Sequence, residues 1–450
     1  MPAEEFPAGF VWGAATAAYQ IEGGVRADGR GESIWDRFAH TPGRVRSGDT
    51  GDVACDHYHR YRDDVALLAE LGLDAYRFSV SWPRVLPDGT GPVNQAGLGF
   101  YDRLVDELLG KGIAPHLTLY HWDLPQALED RGGWPARSTA EAFAGYADVI
   151  ARCLGDRLAS IATLNEPWCA AYLGYGIGQH APGRTDPAAA GAAAHHLLVG
   201  HGLAIQAIRS AAPRIPAGIV LNFEALEPAS GRLLDLEAAA LASEQMNAWF
   251  LDPIAGRDYP VAGGRAWAWG QQEILPGDRE LIASPIDFLG INYYTRRRPQ
   301  SPLLPAAGPP ALTPEYTAMG WEVYPEGLTD VLLFVQSRTG ALPLYVTENG
   351  AAYEPDPADP TNDPDRVSYL TRHVAAAHRA IELGVPLRGY FAWSLLDNFE
   401  WHDGYAYRFG LVDVDFETLE RRVRSSGRYW AALAVASRAA CAAPAAEGEQ

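Results

Sequence analysis

The stretch "PLYVTENG" (343–350) opens as a buried β-strand reads, with Leu344, Tyr345 and Val346 in an apolar run, and closes on the carboxylate of Glu348. A charge at the buried end of a strand costs on the order of several kcal/mol unless it is paired, protonated or put to use. Seven other runs share this grammar: "GFVWGAAT" (9–16), "AYRFSVSW" (75–82), "IAPHLTLYHW" (113–122), "SIATLNEP" (160–167), "AGIVLNF" (217–223), "DFLGINYY" (287–294) and "RGYFAWSLL" (388–396). Between the runs lie amphipathic stretches such as "QAGLGFYDRLVDELLGKG" (95–112), with apolar residues at helical spacing and a glycine stop.

Strand–helix alternation predicts a parallel sheet, and eight units predict a (β/α)8 TIM barrel. One catalytic domain is expected over residues 1–440, with a frayed tail over 441–450. The chain of 450 residues exceeds the roughly 250 of a minimal barrel, so the surplus belongs to long loops. The proline-rich segments 298–314 and 354–365 read as exposed insertions. Most of the eight runs end in polar or aromatic side chains: Arg77, His121, Trp122, Asn165, Glu166, Asn292, Tyr294, Glu348 and Trp393. A barrel's active site sits at that C-terminal face, which gives Glu348 a shared pocket to point into.

Composition narrows the function. The net charge of −20 argues against nucleic-acid and anionic-membrane partners, because phosphate contacts need a basic patch. Lys111 is the single lysine. Cys55, Cys153, Cys169 and Cys441 are too few and too scattered for a disulfide framework, and none has CxxC spacing. The opening "MPAEEFPAGF" lacks a basic, then apolar, leader, so cytoplasmic residence is the expectation. The alanine-rich stretch 188–208 carries three histidines and reads as a buried helix rather than a membrane span.

Two strand ends carry a glutamate beside an asparagine: "TLNEP" (163–167) and "TENG" (347–350). If both face one mouth, Glu166 and Glu348 oppose each other. Two opposed carboxylates suit glycoside hydrolysis, one giving a proton to the leaving oxygen while the other attacks or activates water. Like charges in one site push their pKa values apart. The alternative is that each glutamate merely caps a following helix.

At this point the chain resembles the glycoside hydrolase family 1 β-glucosidases. The blocks that carry the resemblance are "FVWGAATAAYQIEG" (10–23), "YRFSVSWPRVLP" (76–87), "TLYHWDLPQAL" (118–128), "TLNEPW" (163–168), "DFLGINYY", "MGWEVYPEGL" (319–328), "YVTENG" and "LLDNFEW" (395–401). They span nearly the whole chain in order. The resemblance implies a retaining β-glucosidase acting on small β-glucosides and cello-oligosaccharides, with no cofactor or metal. It implies Glu166 as acid/base and Glu348 as nucleophile, with Arg77, Tyr294 and Asn292 in the catalytic group. It also implies a substrate-binding set of Gln20, His121, Trp122, Asn165, Glu400, Trp401 and Phe409, with Trp393 as a flat platform and Trp168 and Trp321 on the aglycone side.

Two variants of the family are addressed by the sequence. Thioglucosidases carry glutamine at the acid/base position, whereas position 166 is Glu here. Phospho-β-glycosidases carry a serine–lysine–tyrosine pocket after the eighth strand, whereas this chain has "NFEWHDGYAYRFG" (398–410), where Glu400 would repel a phosphate. A phospho-β-glycosidase and a catalytically silent sugar-binding barrel are the rival readings. Departures from the family pattern are "EPDPADPTND" after "TENG", "RRVRSS" (421–426), and His402 after Trp401; they bear on aglycone preference. The histidines of "DHYHRYRDD" (56–64) stand at i and i+2, share no helix face and have no third ligand nearby, which argues against a metal site; those of "HHLLVGH" (195–201) also lack i, i+4 spacing and read as helix packing. The segment "GYGIGQHAPG" (174–183) reads as a flexible loop near the mouth. Oligomeric state is not legible.

Overall fold

In a computed structural model, which describes residues 6–262, 264, 274–305 and 313–442, eight parallel strands close into a barrel in sequence order. They are β1 (Val11–Ala15), β2 (Ala75–Ser79), β3 (Ala114–Tyr120), β4 (Ser160–Asn165), β5 (Ala217–Leu226), β6 (Phe288–Arg297), β7 (Leu344–Asn349) and β8 (Leu387–Trp393). All eight apolar runs are strands. Closure is a continuous β1–β8 register from Val11 opposite Gly389 to Ala15 opposite Trp393.

Each strand is flanked by helix because the sequence period changes from two to 3.6. In Gln95–Gly110, Leu98, Tyr101, Leu104, Val105 and Leu108 form the buried stripe, and Gly112 supplies the left-handed residue after the end, φ +74°. The alanine-rich stretch is the helix Pro187–Ala211, long and apolar enough to cross a membrane but mostly buried within the fold. Asp186 caps it, accepting from the amides of Ala188 and Ala189 at 3.0 and 3.1 Å.

Most of the polar signals outside the strand ends resolve into packing, whereas His59 is exposed and pairs with Asp56. His57 bonds Asp64 at 2.8 Å, and Arg421 closes on the same carboxylate. His201 pairs with Thr163 at 2.7 Å. Arg424 of "RRVRSS" is buried against Asp397 and Asp413, tying together segments of the chain after β8. The insertion 354–365 is largely exposed, except that Asp363 accepts from the Ser426 amide and pairs with Arg366. The helix Ser425–Ala442 runs two residues into the expected tail; the rest of that tail, and part of the 298–314 insertion, lie outside the described residues.

The segment 174–183 corrects one expectation. It is near the mouth but, apart from the exposed Ile177 and Gln179, packed. Cys169–Gly176 is a wide-turned helix, and His180 is buried. A Cβ on Gly174 would lie 2.7 Å from the Ala181 carbonyl, so this glycine serves close packing rather than looseness.

Candidate active site

The C-terminal ends of the strands surround a cavity of about 380 Å³, lined by Glu166, Glu348, Asn292, Tyr294, His121 and Glu400 among polar groups. Five tryptophans join them: Trp122, Trp168, Trp321, Trp393 and Trp401. Six others, Trp12, Trp35, Trp82, Trp134, Trp249 and Trp430, are fully buried in the core. The described tryptophans therefore divide between packing and the pocket, as an apolar sugar face requires of the second group. A separate cavity of about 260 Å³ lies at the opposite end of the strands, between residues such as His116, Phe288 and Phe391; neither glutamate reaches it.

The barrel's register brings the two glutamates together. Asn292 on β6 pairs with Glu348 on β7, and the β6–β7 register shifts immediately before it, between Ile291 and Asn292. The β4–β5 register shifts just before Asn165. Such irregularities re-aim side chains at a rim. Glu166 itself has φ +46°, and Trp122 and Trp401 have φ +81° and +52°. Three non-glycine residues in this region, all on one pocket, mark strain of roughly 1–3 kcal/mol each held by the surrounding fold.

Glu348 is fixed from two sides. Arg77 Nη1 donates to Oε1 at 2.6 Å and the Tyr294 hydroxyl donates to Oε2 at 2.8 Å. Asn349 is locked beneath it, donating to the Tyr293 carbonyl and accepting from Tyr390. Glu166 Oε1 accepts from Asn292 Nδ2 at 2.7 Å, and Oε2 accepts from the Cys169 thiol at 3.2 Å. Asn165 Oδ1 joins the two halves, accepting from Arg77 at 2.7 Å and Asn292 at 3.1 Å.

These surroundings separate the carboxyls. Burial, then the neighbouring Glu348 charge, pushes Glu166 up to about 8. Burial pushes Glu348 up as well, but the Arg77 ion pair and the Tyr294 hydrogen bond pull it back. The proton therefore resides on Glu166, which has no cation in hydrogen-bond contact among the described residues, and Glu348 is the carboxylate.

Gln20, Asn165 and Arg77 stand behind the pocket wall rather than on it. Gln20 Nε2 donates to Asn398 Oδ1 and the Phe399 carbonyl, both at 2.9 Å, and reaches Glu400 at 3.5 Å. Among the described residues, Gln20 Oε1 is buried without a partner, as is His121 Nδ1. Asn165 Nδ2 donates to His121 Nε2 at 3.1 Å, which leaves the proton on the unpartnered Nδ1. An orphan acceptor and an orphan donor are what hydroxyl groups of a ligand satisfy. Burial, then Asp403, raises Glu400 to about 8. The His121 ring lies parallel to Trp393 and Trp401, at 5.7 and 5.9 Å. Phe409 packs edge-on to Tyr294, and Trp321 stands 5.4 Å from the same ring.

Every residue anticipated at the site is in or directly behind this pocket. Sequence reasoning missed Cys169, Leu173, Asn222, Glu224 and Met246 on its wall. The polar end of "LNFE" on β5 is a signal for Asn222 and Glu224. Cys169 is found only through the turn that returns the chain beneath Glu166. Gln179 joins His402 at 2.8 Å, so the departure at position 402 closes one side of the mouth.

The sequence and the fold both match known proteins. A family model for glycosyl hydrolase family 1 matches residues 2–438. The β-glucosidase of an Agrobacterium species is 45% identical over 439 residues, covering 96% of each chain. The thermostable β-glucosidase B of Thermobispora bispora is 50% identical and covers 94% of this chain and 89% of the relative. Among solved structures, the family 1 β-glucosidase of Thermotoga maritima superposes with a TM-score of 0.91 at 46% identity, over 97% of this chain and 99% of that one. The same enzyme has been solved with glucoimidazole. With the strand order, the paired carboxylates and a full-length match in agreement, the chain belongs to glycosyl hydrolase family 1.

Proposed function

We propose that the protein is a retaining β-glucosidase that removes terminal β-glucosyl residues from small β-glucosides and cello-oligosaccharides. The observation that carries this reading is one pocket holding two buried carboxyls in different environments, Glu348 against Arg77 and Tyr294, Glu166 against neutral donors. Glu348 attacks the anomeric carbon as Glu166 gives its proton to the glycosidic oxygen, and the aglycone leaves as an alcohol. Esterification removes the Glu348 charge, so Glu166, now a carboxylate, takes a proton from water. The water oxygen attacks the same carbon and Glu348 leaves. Two inversions give net retention.

The tryptophan faces suit the apolar side of a pyranose, and His121 and Glu400, with Gln20 behind Glu400, suit its hydroxyl rim. A neutral glycone is favoured over a 6-phosphorylated one because Asp403 stands at the pocket and no lysine does. The acidic chain suits a soluble sugar rather than nucleic acid or an anionic membrane. Cytoplasmic residence belongs to the same proposal; the described cysteines Cys55, Cys153 and Cys169 are unpaired, which suits a reducing compartment.

Proton NMR of an aryl β-glucoside digest tests the reading. β-Glucose is expected as the first-formed sugar, with the 6-phosphate analogue turned over far more slowly. α-Glucose appearing first, or preference for the phosphate, contradicts it.

A further inference from the structure

Glu166 has one hydrogen-bond partner on each oxygen among the described residues, and the second is a thiol. Cys169 opens the wide-turned helix after β4, and its amide donates to the Glu166 carbonyl at 2.9 Å. That turn folds the side chain back so that Sγ meets Glu166 Oε2 at 3.2 Å. Asn222 on β5 donates to the same sulfur at 3.7 Å. A sulfur that accepts from Asn222 directs its own S–H toward Oε2. We propose that Cys169 is a positioning residue for the proton donor, holding Glu166 Oε2 through an S–H···O hydrogen bond and setting how readily Glu166 releases its proton; this rests on Glu166 being the acid of the proposed reaction.

The contact changes worth during the cycle. Oε1 already accepts from the Asn292 amide, so the transferable proton sits on Oε2. Once it has gone, the thiol is the one described donor left on that oxygen, and a hydrogen bond to an ionised acceptor is about twice as strong as one to a neutral acceptor. The bond therefore favours the carboxylate that must next act as base. Burial, then the neighbouring Glu166, holds the thiol pKa well above its ordinary value, so Cys169 remains a donor. The other charged and titratable groups around Glu166 are Arg77 on β2, His121 after β3, Tyr294 on β6, Glu348 on β7 and Glu400 after β8, with Glu224 on β5 facing the thiol. None of them hydrogen-bonds Oε2, so the thiol can be varied without breaking their contacts.

The test is the alkaline limb of kcat/KM on an alkyl β-glucoside, whose poor leaving group demands the acid. Removing the donor in Cys169→Ala should move that limb upward by about 0.5–1 pH unit. Cys169→Ser retains a donor and should keep the limb within about 0.3 unit of wild type. Glu166→Gln, measured alongside, should lack the limb. A Cys169→Ala limb that stays in place, or identical shifts in the Ala and Ser variants, overturns the inference and leaves Cys169 as packing alone. A Glu166→Gln enzyme that keeps the wild-type limb defeats the assignment of Glu166 first, and the role of Cys169 falls with it.

Discussion

Glu348→Ala is expected to lose about 10⁵-fold in kcat on an aryl β-glucoside while the protein stays folded, a loss of about 7 kcal/mol of transition-state stabilisation. The magnitude follows from the role. Without that carboxylate no covalent intermediate forms, and a good leaving group cannot compensate because the missing atom is the attacking one. The pocket also loses the partner of Arg77, so a buried cation is left facing an empty space. Azide is small enough to enter that space and attack from the same face, and the expected product is the α-glucosyl azide. Near-wild-type turnover in Glu348→Ala would remove the nucleophile from the account.

Glu166→Ala should behave differently, and the contrast assigns the roles. An aryl glucoside with an acidic phenol leaves without help, so the first step proceeds and the glucosyl-enzyme accumulates behind a slow second step. An alkyl glucoside needs the proton and should lose on the order of 10²–10⁴-fold. Azide attacks the accumulated intermediate without a general base and should restore aryl-glucoside turnover as the β-glucosyl azide. The α-product from this variant would show the roles exchanged. In the wild type, Glu166 must be protonated for the first step, and its pKa is raised to about 8 by burial and by Glu348. kcat/KM should therefore hold up to about pH 8 and fall above it, and Glu166→Ala should lose that fall. The acid limb belongs to Glu348, which must be ionised.

The barrel was legible because each strand is an apolar run bounded by a change of period, and because the runs end in residues with no business in a core. Glu348 on "YVTENG" and Glu166 on "TLNEP" stood out for that reason. Gln20 could not be tied to Asn398 and Phe399 by any local signal, since barrel closure joins the first strand's loop to the last. The register shifts before Asn165 and Asn292, which aim the two halves of the site at each other, have no side-chain signature. The glycines of 174–183 read as looseness because their spacing alone does not reveal the Ala181 carbonyl pressed against Gly174. Cys169 escaped notice because a cysteine three residues past a glutamate reads as buried packing until the turn is known.

The central claim is a covalent bond between sugar and Glu348. A 2-deoxy-2-fluoroglucoside with a dinitrophenolate leaving group slows both steps by destabilising the positively charged transition state, yet spares the first through its leaving group, so the intermediate persists. Peptide mass spectrometry after such treatment should place one fluoroglucosyl unit on the peptide that contains Glu348, with activity lost in proportion. An adduct on the Glu166 peptide, or steady turnover with no adduct on any peptide, contradicts the account.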